Sequence, residues 1–215
     1  MKCSYPIALD LVGRRILVVG AGRVALRKVQ GLLAAGADDI TIVALEFHPD
    51  MPATPRQVRR AFSPSDIQGV SLCFAATDIA EVNRQVVAEC RQRGVWVNRA
   101  DHDGCCPGDF AVPAVHRAGS LTIAVSAGES PRVAAMVRDD IAATLDPLRV
   151  AFAQVAGTIR ARLHQLSHLD QLARRAIVDD LVSAGGFEAF RVAGAEGLWS
   201  YLVAHHEKLL KESVP

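Results

Sequence analysis

The stretch Arg15-Ile16-Leu17-Val18-Val19-Gly20-Ala21-Gly22-Arg23-Val24-Ala25-Leu26-Arg27-Lys28 decides how this chain folds. Ile16 to Val19 is a short, apolar run rich in branched side chains, the pattern of a strand buried on both faces of a parallel sheet. Gly20-x-Gly22-x-x-Ala25 interrupts it. From there apolar residues at Val24, Leu26, Val29, Leu32 and Leu33 keep helical spacing until Gly36, a natural terminator. In such a strand–turn–helix unit Gly20 permits the tight exit from the strand. Gly22 lets a pyrophosphate approach the backbone, and Ala25 keeps the helix close to the sheet. The helix start adds free N–H groups and partial positive charge. The turn therefore predicts a dinucleotide ligand, against the competing reading of a glycine turn that serves packing alone.

Working outward, strands are expected at Ile40–Leu45, at Gln57–Phe62 (basic, hence at an edge), at Val70–Ala76 and at Val95–Val97. A helix is expected over Glu81–Arg93. This alternation predicts an α/β fold, a Rossmann-type parallel sheet with helices on both faces. After Asp101 the rhythm breaks. Phe110–Val115 and Ser120–Val125 read as two extended segments, an antiparallel pair joined through His116 to Gly119. Ser130-Pro131 reads as a helix start. The rest is helical, with stripes at Phe152 to Leu166, Leu172 to Val182 and Leu198 to Leu210, the last two separated by Gly185-Gly186.

Composition narrows the function classes. The chain has 24 Lys and Arg against 23 Asp and Glu, a formal net charge of +1, so no basic field points to nucleic acid. Aromatic residues are 5%, too few for a base-stacking ladder. The first ten residues resemble neither a secretory signal nor a transit peptide, and no apolar run is long enough to span a membrane, so a cytoplasmic location is expected. The five cysteines are odd in number and lack CxxC spacing, which argues against a disulfide framework. Cys73 and Cys90 fall on apolar strand and helix patterns and read as core residues.

Glu46 stands at the end of the second strand, where a carboxylate accepts hydrogen bonds from the adenosine ribose and repels a 2′-phosphate, which favours NAD over NADP. A solvated loop glutamate is the alternative. Thr77 and Asp78 close the fourth strand at the same sheet edge, beside the cofactor or as caps of the next helix.

Several segments together resemble the precorrin-2 dehydrogenases of sirohaem synthesis: Pro6 to Leu11, GAGRVALRK over Gly20 to Lys28, AATD over Ala75 to Asp78 with Asn83, and Val97-Asn98-Arg99-Ala100-Asp101. Phe110 to Ala114, Leu121 to Ser126 and Ser130-Pro131 continue the match. The similarity runs in order from about Pro6 to Leu145. It implies NAD-dependent oxidation of precorrin-2 to sirohydrochlorin, with a chelatase activity for iron or cobalt as a further possibility. It implies a NAD-binding domain over 1–112, a dimerisation segment over 113–146 and a helical domain over 147–215, assembled as a homodimer. The family's essential aspartate maps onto Asp101, and its cofactor contacts onto Gly22, Arg23, Val24, Leu45 and Glu46. A carboxylate-rich macrocycle needs local cations or hydroxyls, for which Arg99, His116, Arg117, Ser126 and Arg132 are candidates. The competing function is a NAD(H)-binding regulatory or partner module without tetrapyrrole turnover.

The chain also departs from the family pattern. The stretch from His102 to Asp109 is about two residues longer than usual, and the Ser126 to Pro131 loop about one shorter. Ala127 stands where some relatives carry a phosphorylatable serine. His102, Asp103, Cys105 and Cys106 are metal-ligand types, but adjacent cysteines chelate one tetrahedral ion poorly, so no structural metal is expected. His205-His206 reads as a solvated pair on the last helix.

Overall fold

The computed structural model describes residues 5–100, 108–128 and 130–210. The chain divides into two compact units, Met1–Val112 and Pro113–Pro215.

The first unit is built from β1 (Arg15–Val19), α1 (Arg23–Ala34), β2 (Asp39–Ala44), β3 (Arg56–Arg59), β4 (Leu72–Ala75), α2 (Ala80–Gln92) and β5 (Trp96–Arg99). A single 3-10 turn, Pro64–Ile67, precedes β4. The strands pair in the order β3-β2-β1-β4-β5, all parallel. Alternation along the strands sorts the core into two layers. Ile16, Val18, Ile40, Ile42, Leu72 and Phe74 pack with Ala25, Leu26, Val29 and Leu32 of α1. Leu17, Val19, Val43, Cys73, Ala75 and Val97 pack with Val86, Val87 and Cys90 of α2. The doubly wound sheet expected from the sequence is the one observed, with the basic β3 at its edge. Cys73 and Cys90 are buried as expected; their contact, and burial, push the Cys73 thiol up, so it behaves as an inert core residue.

The second unit opens with an antiparallel ribbon, β6 (Ala114–Ala118) and β7 (Leu121–Val125), against which α3 (Pro131–Ala143) packs. The pair was expected, but its boundaries move. His116 and Arg117 lie in β6, not in the connection, because Gly119 at φ +55 reverses the chain with Ser120 in two residues. Four helices follow: α4 (Pro147–Gln165), α5 (Gln171–Leu181), α6 (Ala184–His205) and α7 (Glu207–Leu210). Ile159, Leu163, Ile177, Leu181, Leu198, Leu202 and Leu210 form their shared core.

Two expectations fail here. Gly185-Gly186 does not separate helices; it lies in the first turn of α6, where a Cβ on Gly186 would come within 2.6 Å of the Asp180 and Leu181 carbonyl oxygens. The break falls at Ala193 and Gly194, the latter at φ +62. His206 is no solvated residue either: its ring is 2.8 Å from the Asp180 carboxylate and its side chain is 13% exposed.

Candidate nucleotide-binding site

The carboxyl ends of β1, β2, β4 and β5 converge on one edge of the first unit, and β1 stands between β2 and β4, where the winding direction reverses. Open α/β sheets bind ligands at such a switch point. The Gly20 turn sits there. Gly20 has φ +103, and a Cβ on it would lie 2.4 Å from the Ala76 carbonyl oxygen, so no other residue fits. Its N–H donates to Val43 O at 2.9 Å.

Gly22 is the N-cap of α1 and opens that helix without a side-chain cap. No acidic residue occupies the first turn, and the space where a Cβ of Gly22 would point is empty to 4 Å. Uncapped N–H groups, an absent carboxylate and open space beside the backbone fit a pyrophosphate. Arg23 and Val24, the next two residues, are exposed at this helix start. These residues therefore fit a dinucleotide.

The segment after β2 is tied to the turn, because His48 N donates to Ala21 O at 2.9 Å. That bond brings the exposed Leu45 and Glu46 to the same edge. Beside them, Arg59 ends β3; its Nη1 lies 3.4 Å from Leu45 O and its guanidinium 5.3 Å from the centre of the Phe47 ring. Sequence reasoning passed over Arg59, noting only that β3 is basic.

At the end of β4 the two residues named together separate. Thr77 is locked by the fully buried Asn83: Thr77 N and Oγ1 donate to Asn83 Oδ1 at 3.1 and 2.8 Å, and Asn83 Nδ2 donates to Thr77 O at 2.9 Å. Asp78 is exposed and does not cap α2, whose N-cap position falls at Ile79. The capping role considered for Asp78 is thereby excluded.

At the end of β5, Arg99 is half-buried and engaged in contacts. Asp101, with His102, Asp103, Cys105 and Cys106, lies outside the described residues. The chain returns beside β5 at Gly108, where a Cβ would meet Val97 O at 2.6 Å. Asp109 then exchanges two hydrogen bonds with Val97: its N–H donates to Val97 O at 2.7 Å, and Val97 N donates to Asp109 Oδ2 at 3.0 Å. Asn98 Nδ2 donates to Phe110 O at 2.8 Å, and Phe110 meets Phe74 edge-on at 5.5 Å. Among the described residues, the buried Asn98 Oδ1 has no hydrogen-bond partner. None of this fastening was legible in the sequence, where Gly108 and Asp109 read only as the end of a long loop.

The remaining named residues belong to the second unit. His116 and Arg117 lie on β6, with His116 opposite Ile123 and Arg117 opposite Thr122; Ser126 follows β7, and Arg132 lies in the first turn of α3. A groove of about 580 Å³ between α4 and α6, where Arg162 stacks over Trp199 at 4.3 Å, contains none of them. Among the described residues no group of three or more His, Cys, Asp or Glu side chains is placed to hold a metal ion, and no helix is long and apolar enough to cross a membrane.

Residues 7–114 match the family model described as "Putative NAD(P)-binding". The chain is 33% identical over 216 residues to a siroheme synthase of Methylobacillus flagellatus, covering 94% of this chain and 46% of that protein. It is 34% identical over 196 residues to siroheme synthase 1 of Pectobacterium atrosepticum, covering 85% of this chain and 40% of that protein. This chain thus spans less than half the length of these relatives. A solved structure named "SirC, precorrin-2 dehydrogenase" shares the fold, with a TM-score of 0.74 over 94% of this chain and 100% of that one, at 24% identity. The resemblance read from the motifs is borne out by these relatives. The nicotinamide dinucleotide expected from the turn is the ligand class in the family description, and the chain belongs to that NAD(P)-binding family.

Proposed function

We propose that this chain is a precorrin-2 dehydrogenase, which oxidises precorrin-2 to sirohydrochlorin with NAD in sirohaem biosynthesis. The observation that carries the reading is the uncapped start of α1 behind Gly20 and Gly22, at the switch point of a sheet, in a chain similar to siroheme synthases over 94% of its length. The cofactor, when bound, supplies the acceptor for a hydride leaving a macrocycle carbon. The protein's own residues do the rest. Backbone N–H groups at the start of α1 hold the pyrophosphate, and Glu46 accepts hydrogen bonds from the adenosine ribose. Thr77, fixed by Asn83, and Asp78 line the same edge. The carboxylate of Asp101 takes the proton lost from the macrocycle as the hydride departs. Arg99, His116, Arg117, Ser126 and Arg132 receive substrate carboxylates.

The chain acts as a homodimer in this reading, with the 113–146 segment between the 1–112 and 147–215 domains as the contact. Support comes from the scarcity of buried residues in that segment: over 114–143 Ala134 alone is buried among the described residues, and Val133 and Met136 of α3 are 45% and 56% exposed. A cytoplasmic location belongs to the same reading. So does iron or cobalt insertion into sirohydrochlorin as a second step, with the metal as substrate.

Incubating the pure protein with precorrin-2 and NAD while following sirohydrochlorin absorbance tests the proposal. Turnover is expected; binding of NAD without turnover would favour the regulatory-module alternative. Asp101→Asn is expected to lower turnover at least about 100-fold while NAD binding is retained. Full activity in that variant would remove Asp101 from the mechanism. Adding Fe(II) or Co(II) to sirohydrochlorin tests the chelatase step separately.

A further inference from the structure

The ends of β2 and β3 lie side by side, with Ala44 opposite Arg59 in the parallel register. Glu46 follows two residues after Ala44, so the cation and the carboxylate assigned to the adenosine ribose share one corner of the sheet. Arg59 is held there by the residues that bracket Glu46. Its Nη1 reaches Leu45 O at 3.4 Å, and its guanidinium rests 5.3 Å from the Phe47 ring centre. Phe47 in turn packs on the α1 layer of the core, and His48 is bonded to the Gly20–Gly22 turn through Ala21 O. The guanidinium is exposed and makes no ion pair with any described residue, Glu46 included. One aromatic face and one carbonyl therefore hold it, and its remaining N–H donors stay available.

A carboxylate at the end of the second strand disfavours a 2′-phosphate, whereas an arginine nearby accommodates one. This corner holds both. We propose that Arg59 is the specificity-determining cation at the adenosine end of the cofactor, receiving the 2′-phosphate of NADP(H), so that the chain binds NADP(H) as well as NAD(H) in spite of Glu46. The planar fork of the guanidinium matches phosphate oxygens in a way an ammonium does not, and the Phe47 stack limits the entropy lost on binding. With a 2′-hydroxyl, Glu46 accepts the hydrogen bond and Arg59 stays idle. With a 2′-phosphate, Arg59 offsets the repulsion from Glu46. The inference rests on the dinucleotide reading of the Gly20 turn, but not on any tetrapyrrole chemistry.

The test is calorimetric titration of the full chain with NADH and with NADPH, for the wild type, Arg59→Ala, Arg59→Lys, Glu46→Gln and the double variant. The wild type is expected to bind both. Arg59→Ala should weaken NADPH about tenfold while NADH stays within about twofold, and the NADPH loss should shrink as salt rises. Arg59→Lys, which keeps the charge and the fold, should fall between. Glu46→Gln should strengthen NADPH, and that gain should be smaller when Arg59 is absent, a coupling that a purely structural role would not produce. Equal weakening of both cofactors by Arg59→Ala would make Arg59 a wall for the adenine and overturn the proposal. An unchanged NADPH to NADH ratio, or a wild type that binds NADH alone, would overturn it too. A wild type that binds neither cofactor would remove the dinucleotide reading and this proposal with it, whereas binding of both without precorrin-2 turnover would leave this inference standing and sink only the enzymatic one.

Discussion

The five-stranded sheet of the first unit and the two-stranded ribbon of the second are both made from short, branched strands, yet they are buried very differently. In β1 every residue after Arg15 is buried, and all four residues of β4 are. In β6 and β7 not one residue is buried. The sheet has α1 on one face and α2 on the other, so its strands read as continuous apolar runs. The ribbon has α3 packed against it and contributes to no core cluster among the described residues. Two strands with so little apolar area removed from water are marginal by themselves. The lesson is that the nucleotide-binding unit carries its own stability, whereas the segment around β6, β7 and α3 has apolar surface still to cover.

The sharpest way to break the first half of that contrast is Gly20→Ala. The new methyl would meet the Ala76 carbonyl at 2.4 Å in a backbone conformation at φ +103. A loss of about 3 kcal/mol or more is expected, seen as a fall in Tm of roughly 6–12 °C. A Tm within a degree of wild type would mean the turn is not held as described. Asn83→Ala should cost about 2 kcal/mol, because Thr77 N would lose its acceptor inside the unit, and denaturant unfolding would register it.

The second half is tested on α3. Met136→Glu places a charge among exposed apolar residues and is expected to raise the dissociation constant of the proposed homodimer at least about tenfold in sedimentation, with NAD affinity unchanged. Assembly that is indifferent to this change would exclude α3 from the contact. The wild-type Tm should correspondingly rise with protein concentration.

The smallest effect belongs to Arg60, whose Nη1 donates to Asp66 Oδ2 at 2.8 Å. This bond, helped by Ser63 N–H and opposed by burial, holds the Asp66 carboxyl below the usual carboxylate range. A depressed folded-state value stabilises above the unfolded pKa of about 4 and ceases to do so as pH falls through the folded value. Arg60→Ala should therefore lower Tm slightly at neutral pH and leave it unchanged in strong acid, as a thermal scan across pH would record.

Much of the nucleotide site was legible because its chemistry is backbone chemistry. Gly20, Gly22 and Ala25 are required by a turn whose geometry is local, and strand and helix periods on either side place that turn on a sheet edge. Which of Thr77 and Asp78 is engaged at the start of α2 was left open for an equally physical reason. Thr and Asp both cap helices, and adjacent in sequence they are equivalent candidates; Asn83, six residues on, settles the matter by binding Thr77 and leaving Asp78 exposed. Gly185-Gly186 misled in the same way, since a glycine pair marks a turn or a close packing contact with equal force, and the carbonyls of Asp180 and Leu181 select packing.

By itself the sequence determined the alternation of parallel strands and helices, the turn at Gly20 and the ligand class that the turn can hold, because each depends on periodicities and steric demands within a single strand, turn or helix. The tertiary structure alone decided what meets across longer separations. It brought Arg59 of β3 to the corner occupied by Leu45 and Glu46, and it laid Gly108 to Phe110 back along β5. It also paired His206 with Asp180. Those contacts join residues separated by 12 to 26 positions, and no local pattern encodes which side chain a returning chain will find there.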